Sequence, residues 1–109
     1  MILIFGGRSE KKAMQDLWGL TKHRDGSWSW QEAPSKDSSS LIGRYQHTSH
    51  CLGSYFIVSG GRTNTNEISL TIDVFDTQTN KWNCYPTSAQ RFRHGSWIAD
   101  QSLYIYAGF

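Results

Sequence analysis

The residues of this 109-residue chain whose types suit chemistry are four histidines, two cysteines and a set of arginines. Metal ligation needs imidazoles or thiolates that converge on one point. His47 and His50 stand three residues apart, and on a strand an odd spacing sends side chains to opposite faces, so the pair does not chelate one ion. Cys51 and Cys84 have neither metal-ligand nor redox spacing, and neither sits in a nucleophile motif with a base beside it. Both read as small strand hydrophobes. His23 lies in a polar hairpin string and is expected to be exposed. No catalytic residue and no metal ligand is therefore assigned. The arginines differ: Arg8, Arg44, Arg62, Arg91 and Arg93 are planar, forked donors suited to bidentate recognition of carboxylate or phosphate. Tyr45 and Phe92 follow two of them directly and supply aromatic contacts.

A repeat positions these residues. Gly6-Gly7-Arg8 closes ILIFGGR, Gly60-Gly61-Arg62 closes YFIVSGGR, and Ala107-Gly108-Phe109 closes the related LYIYAGF. The first two closures are 54 residues apart and the second and third 47. Arg44-Tyr45-Gln46-His47 recurs as Arg91-Phe92-Arg93-His94, again 47 residues later, and each His stands 13 residues before its small pair. Trp82 follows Trp28 by 54 residues, which suggests a third marker in the same register. Because His47 and His94 share a repeat position, a fold-wide hydrogen-bonding role explains both better than ligation. For Arg44 and Arg91 the same logic favours a structural salt bridge between units over an exposed contact.

Each unit reads as four short strands. Four or five apolar residues without alternation precede each small pair, as in an inner strand covered on both faces, and the glycines allow close approach or positive φ. HTSHC and HGSWIA form a strand before it, joined through tight connections at residues 52–54 and 100–102. LTIDVF and KWNCY follow in the middle copy, and DLWGLT and SWSWQ in the first, where Asp25-Gly26 marks a hairpin turn. Trp28 and Trp82 are expected on outer strands, packed between neighbouring sheets. With 38% hydrophobic residues, 14% aromatic and two prolines, the composition favours such strands over helices. A net charge of +2 is too small to imply nucleic acid, Met1 to Phe5 is too short for a membrane span, and the cysteine usage fits a reducing interior.

The Gly-Gly pairs, the spaced Trp and the Arg-x-x-His resemble kelch repeats, which implies an all-β fold: a partial β-propeller of about two to two and a half blades. Residues 1–32 would be strands 2 to 4 of one blade, 44–85 a complete second blade, and 91–109 the first two strands of a third. Propellers close with about four to eight blades, so the chain reads as a fragment of a longer protein. DLWGLTKHRDGSWSWQEAPS at residues 16–35, with RYQH and RFRH, is similar to the kelch region of serine/threonine protein phosphatases with Kelch-like domains. That resemblance implies a parent hydrolase whose separate phosphatase domain carries two metal ions, manganese or iron and zinc, and a cytoplasmic or nuclear location. The motifs of that domain (Gly-Asp-x-His-Gly and its companions) have no match here, so no cofactor is assigned to this segment.

Function is then a matter of surfaces. In an up-and-down blade the loop between strands 2 and 3 and the loop entering strand 1 emerge on the same side. Residues 8–16, 33–44, 62–71 and 86–93 form those loops, with eight basic residues against four acidic ones. The face is expected to bind an acidic or phosphorylated protein segment through Arg8, Arg62, Arg93, Arg44 and Arg91 with Tyr45 and Phe92. Other functions such a fold serves are substrate recruitment in a cullin-type ubiquitin ligase and, with a His and Tyr cluster near the axis, copper oxidation. Uncovered terminal sheets point to self-association of the isolated segment.

Overall fold

The computed structural model describes residues 1–33, 43–63, 67–69, 71–87, 91–92, 94–106 and 108. They form strands only: β1 (Ile2–Phe5), β2 (Leu17–Lys22), β3 (Trp28–Glu32), β4 (Thr48–Leu52), β5 (Tyr55–Ser59), β6 (Thr71–Asp76), β7 (Lys81–Pro86), β8 (Gly95–Ala99) and β9 (Ser102–Tyr106). All neighbours in a sheet are antiparallel, in the orders β1-β2-β3, β4-β5-β6-β7 and β8-β9. The arrangement is a partial kelch β-propeller: three strands of one blade, a whole blade, and two strands of the next.

Local chemistry sets the turns. Between β2 and β3 the His23 amide donates to Ser27 O and the Gly26 amide to His23 O, with Gly26 at φ +91°. The Asp25 carboxylate accepts from the Ser27 amide and hydroxyl, and those bonds hold its pKa below the ordinary value. Between β6 and β7 the Asp76 carboxylate accepts from the Gln78 amide, and Asn80 takes the positive φ.

The blades stack face to face. Leu3, Phe5 and Leu17 of the first sheet meet Phe56, Val58, Phe75 and Trp82 of the second, and this seam is the hydrophobic core. Trp82 lies 5.1 Å from the Phe5 ring and 5.2 Å from Phe75. The second seam is polar. Thr48 Oγ1 is 2.9 Å from Ser59 Oγ and 2.8 Å from His94 Nε2, while the Ser96 hydroxyl donates to Thr48 Oγ1 and lies 2.7 Å from His50 Nε2.

Two expectations need correction. Trp28 does not repeat the place of Trp82: Trp82 stands opposite Phe75, and the residue in that register on β3 is Trp30, opposite Leu20, because the β2–β3 connection is one residue longer than the β6–β7 one. Trp28 is 53% exposed rather than packed between sheets. The strands before the small pairs are also not all covered on both faces. On β1 and β9 one face is open, since in this chain the terminal sheets have a neighbour on one side only.

Candidate functional site

The loops that carry the arginines are joined by backbone. Gly7 N donates to Arg44 O and Arg44 N to Met14 O, tying the loop after β1 to the segment before β4. Tyr45 and Arg62 exchange both of their backbone hydrogen bonds, at 3.0 and 2.8 Å, and Gly61 N donates to Arg91 O. The segments before β4 and before β8 thus share one side of the molecule with the loops after β1 and β5.

The glycines explain why this join is possible. Gly6 has φ +71°, and a Cβ there would sit 2.7 Å from Arg44 O and 3.1 Å from His47 Cε1. Gly61 has φ +93°, and a Cβ there would lie 2.8 Å from Tyr45 O and 2.9 Å from His47 Cβ. His47 is therefore wedged between the first glycine of one blade and the second glycine of its own. His94 stands in the same way between Gly60 and Gly108. Trp82 reinforces the same join through Phe5, whose ring meets His47 edge-on at 5.5 Å. Burial, with Arg44 nearby, pushes the His47 imidazole down to about 4, against a hydrogen bond to the Phe5 backbone; burial and then Arg91 lower His94 too. Both imidazoles are neutral at pH 7. Their Nδ1 atoms are buried without a hydrogen-bond partner.

Arg44 leaves the candidate binding face altogether. Its side chain is 0% exposed and forms an ion pair with Asp73, itself 0% exposed. It also donates to Thr71 O at 3.3 Å and Gly60 O at 3.4 Å, and the Thr71 hydroxyl donates to the second Asp73 oxygen at 3.1 Å. The bridge closes within one blade, from the segment before β4 to β6, and not between blades as the repeat spacing suggested. Burial lowers the guanidinium to about 10, which still leaves it charged at neutral pH. Arg91, at the equivalent position, is exposed, because the β8-β9 sheet has no third strand in this chain to offer the acid. Asp73 was not singled out by sequence reasoning; an acid between Ile72 and Val74 in an otherwise apolar strand is the signal that marks it.

Four of the selected residues come together in pairs. The Arg8 guanidinium lies 5.2 Å from the centre of the Tyr45 ring, and the Arg62 guanidinium 4.7 Å from that of Phe92. In each pair the Arg follows the Gly-Gly of one blade and the aromatic residue enters the next. One such pair therefore crosses each seam, and the Tyr45–Arg62 backbone pairing joins them into a row. Among the described residues neither guanidinium has a carboxylate partner, and Arg62 Nε is buried without an acceptor. A guanidinium stacked on a ring keeps its in-plane N–H groups free for an anion. Arg93 lies outside the described residues. No three of His, Cys, Asp and Glu among the described residues form a group able to hold a metal ion, and no helix is long and apolar enough to cross a membrane.

Comparison with known proteins agrees with this architecture. The Kelch motif family matches residues 43–88. The serine/threonine-protein phosphatase BSL2 of Arabidopsis thaliana is 34% identical over 104 residues, which is 92% of this chain and 10% of that protein. The chain thus spans about one tenth of the length of the curated relative it matches.

Proposed function

We propose that this chain, a kelch-repeat segment of a β-propeller, is the non-catalytic, protein-binding part of a serine/threonine protein phosphatase, and that its arginine and aromatic row takes an acidic or phosphorylated segment of a substrate or regulator. The observation that carries the reading is the pair of guanidiniums, Arg8 and Arg62, held over aromatic rings without a carboxylate partner among the described residues. Stacking fixes each fork in place before an anion arrives, which lowers the ordering cost of binding. The likeness to BSL2 supports the phosphatase parentage. Catalysis, with its two metal ions, belongs in this reading to a separate domain of the parent, and the propeller selects what reaches it.

The test is charge reversal of Arg8 and Arg62 together in the full-length parent, scored by binding to a panel of acidic and phosphorylated peptides. Binding about tenfold weaker, with a flatter dependence on salt, is expected while manganese-supported hydrolysis of a small aryl phosphate is unchanged. Unchanged peptide binding by a folded variant removes the row as the docking site; a parent without phosphatase activity removes the parentage.

A further inference from the structure

Each sheet in this chain has two distinct faces, and the seams always join the same two. One face of the first sheet, with Leu3, Phe5 and Leu17, meets the opposite face of the second, with Phe56, Val58, Phe75 and Trp82. The second seam repeats the direction: Thr48 and Ser59 of the middle sheet meet Ser96 of the third. Two faces remain open. On the first sheet they are the side chains of Ile2, Ile4, Trp28 and Trp30, the last 55% exposed. On the third they are Trp97, Tyr104 and Tyr106, the last 71% exposed, with Trp97 and Tyr104 stacked at 5.4 Å.

These open faces are the two halves of one seam. By strand register Trp30 occupies the place of Trp82, opposite Leu20 as Trp82 is opposite Phe75. Tyr106 occupies the place of Phe5, immediately before the small pair. In the first seam Trp82 and Phe5 are in contact at 5.1 Å. From this continuity with the existing seams we infer that the free chain associates with a second copy head to tail, the open face of the β8-β9 sheet of one copy receiving the open face of the β1-β2-β3 sheet of the other, with Trp30 on the partner copy's equivalent of the Phe5 site, Tyr106.

Such an interface is heterologous, so it must either close into a ring or run on as a filament. Two copies bring six sheets, within the four to eight that propellers use, whereas three bring nine. The pair therefore closes, through two identical seams. The aromatic content of both faces supplies the drive, since soluble monomers rarely leave contiguous apolar patches beyond a few hundred Å² uncovered.

Light scattering behind a sizing column tests this on the purified chain, from low micromolar to near-millimolar concentration. Twice the monomer mass is expected. Trp30→Glu and Tyr106→Glu, both at exposed positions, should each shift the protein towards monomer, and an equimolar mixture of the two should recover dimer, because one intact seam can form between them. A monomeric wild-type chain overturns the proposal. So does a dimer that survives one substitution untouched, which marks a like-with-like contact, or a mixture of the two folded variants that stays monomeric.

Discussion

Replacing Asp73 by Leu should be among the most damaging single changes on the molecule, although neither Asp73 nor its partner touches solvent or any proposed ligand. The Arg44 guanidinium would lose its counter-charge and keep two acceptors, Thr71 O at 3.3 Å and Gly60 O at 3.4 Å, both at the long end for hydrogen bonds. Breaking a buried pair from one side typically loses about 3–5 kcal/mol, because the surviving charge is left without compensation. A domain of this size has roughly 5–15 kcal/mol in total, so the loss is a third or more of the whole. Arg44→Met should be of similar size, since it strands the carboxylate with the Thr71 hydroxyl at 3.1 Å. The double variant Arg44→Met/Asp73→Leu should be more stable than either single, because apolar replacement of both partners removes the uncompensated charge. Urea denaturation at one fixed protein concentration, which keeps association from shifting the midpoint, measures all four corners of the cycle. Losses that simply add in the double variant, or a loss below about 1 kcal/mol for Asp73→Leu, as expected of an exposed pair, would refute the reasoning.

The histidine wedge gives a pH dependence of definite sign. His47 is held at about 4 in the fold against an ordinary 6.5, so below pH 6.5 the unfolded chain takes up a proton that the folded chain refuses; stability falls as pH drops from 6.5 towards 4, and His47→Gln should flatten that part of the urea-midpoint profile. Gly61→Ala should lose about 3 kcal/mol or more, combining a strained φ of +93° with a Cβ 2.8 Å from Tyr45 O, whereas Gly26→Ala, at φ +91° with nothing within 4 Å, should lose only about 1 kcal/mol in the same assay. Charge reversal at Arg8 and Arg62 should leave stability almost unchanged, since stacked surface cations contribute about 0.5–1 kcal/mol each, so a large fall in the urea midpoint would assign these arginines to the fold rather than to binding.

The repeat was legible because its markers serve the backbone. Gly-Gly and Arg-x-x-His recur at fixed spacing since a positive φ, a missing Cβ and an imaged imidazole must meet at every seam, and no side chain elsewhere relieves that demand. The tryptophan marker misled for the opposite reason: sequence offset counts the residues of a hairpin connection, while the contact depends on strand register, so one additional connecting residue and a shifted strand start put Trp30 and not Trp28 opposite the place of Phe75. Arg44 shows a further limit. Composition of a loop gives its charge but not where a long side chain goes, and the guanidinium turns inward to an acid 29 residues away that only the fold brings near. The pairing of Arg8 with Tyr45 and of Arg62 with Phe92 likewise depends on which blade follows which, a relation between units that the repeat spacing alone does not state.

The wedge of a histidine between glycines of adjoining blades has a bearing on how such chains change length. Each repeat carries both a socket, its Gly-Gly, and the plug for the socket before it, its Arg-x-x-His. Any tandem duplication or deletion of one whole unit therefore brings matching ends together, whichever unit is copied or removed. Unequal exchange within the gene can alter the number of blades without first inventing a new contact, whereas an insertion of a few residues between plug and socket breaks a join at once. Length variation is thereby channelled into whole blades and into the loop between the second and third strands, the stretch that also carries Arg8 and Arg62.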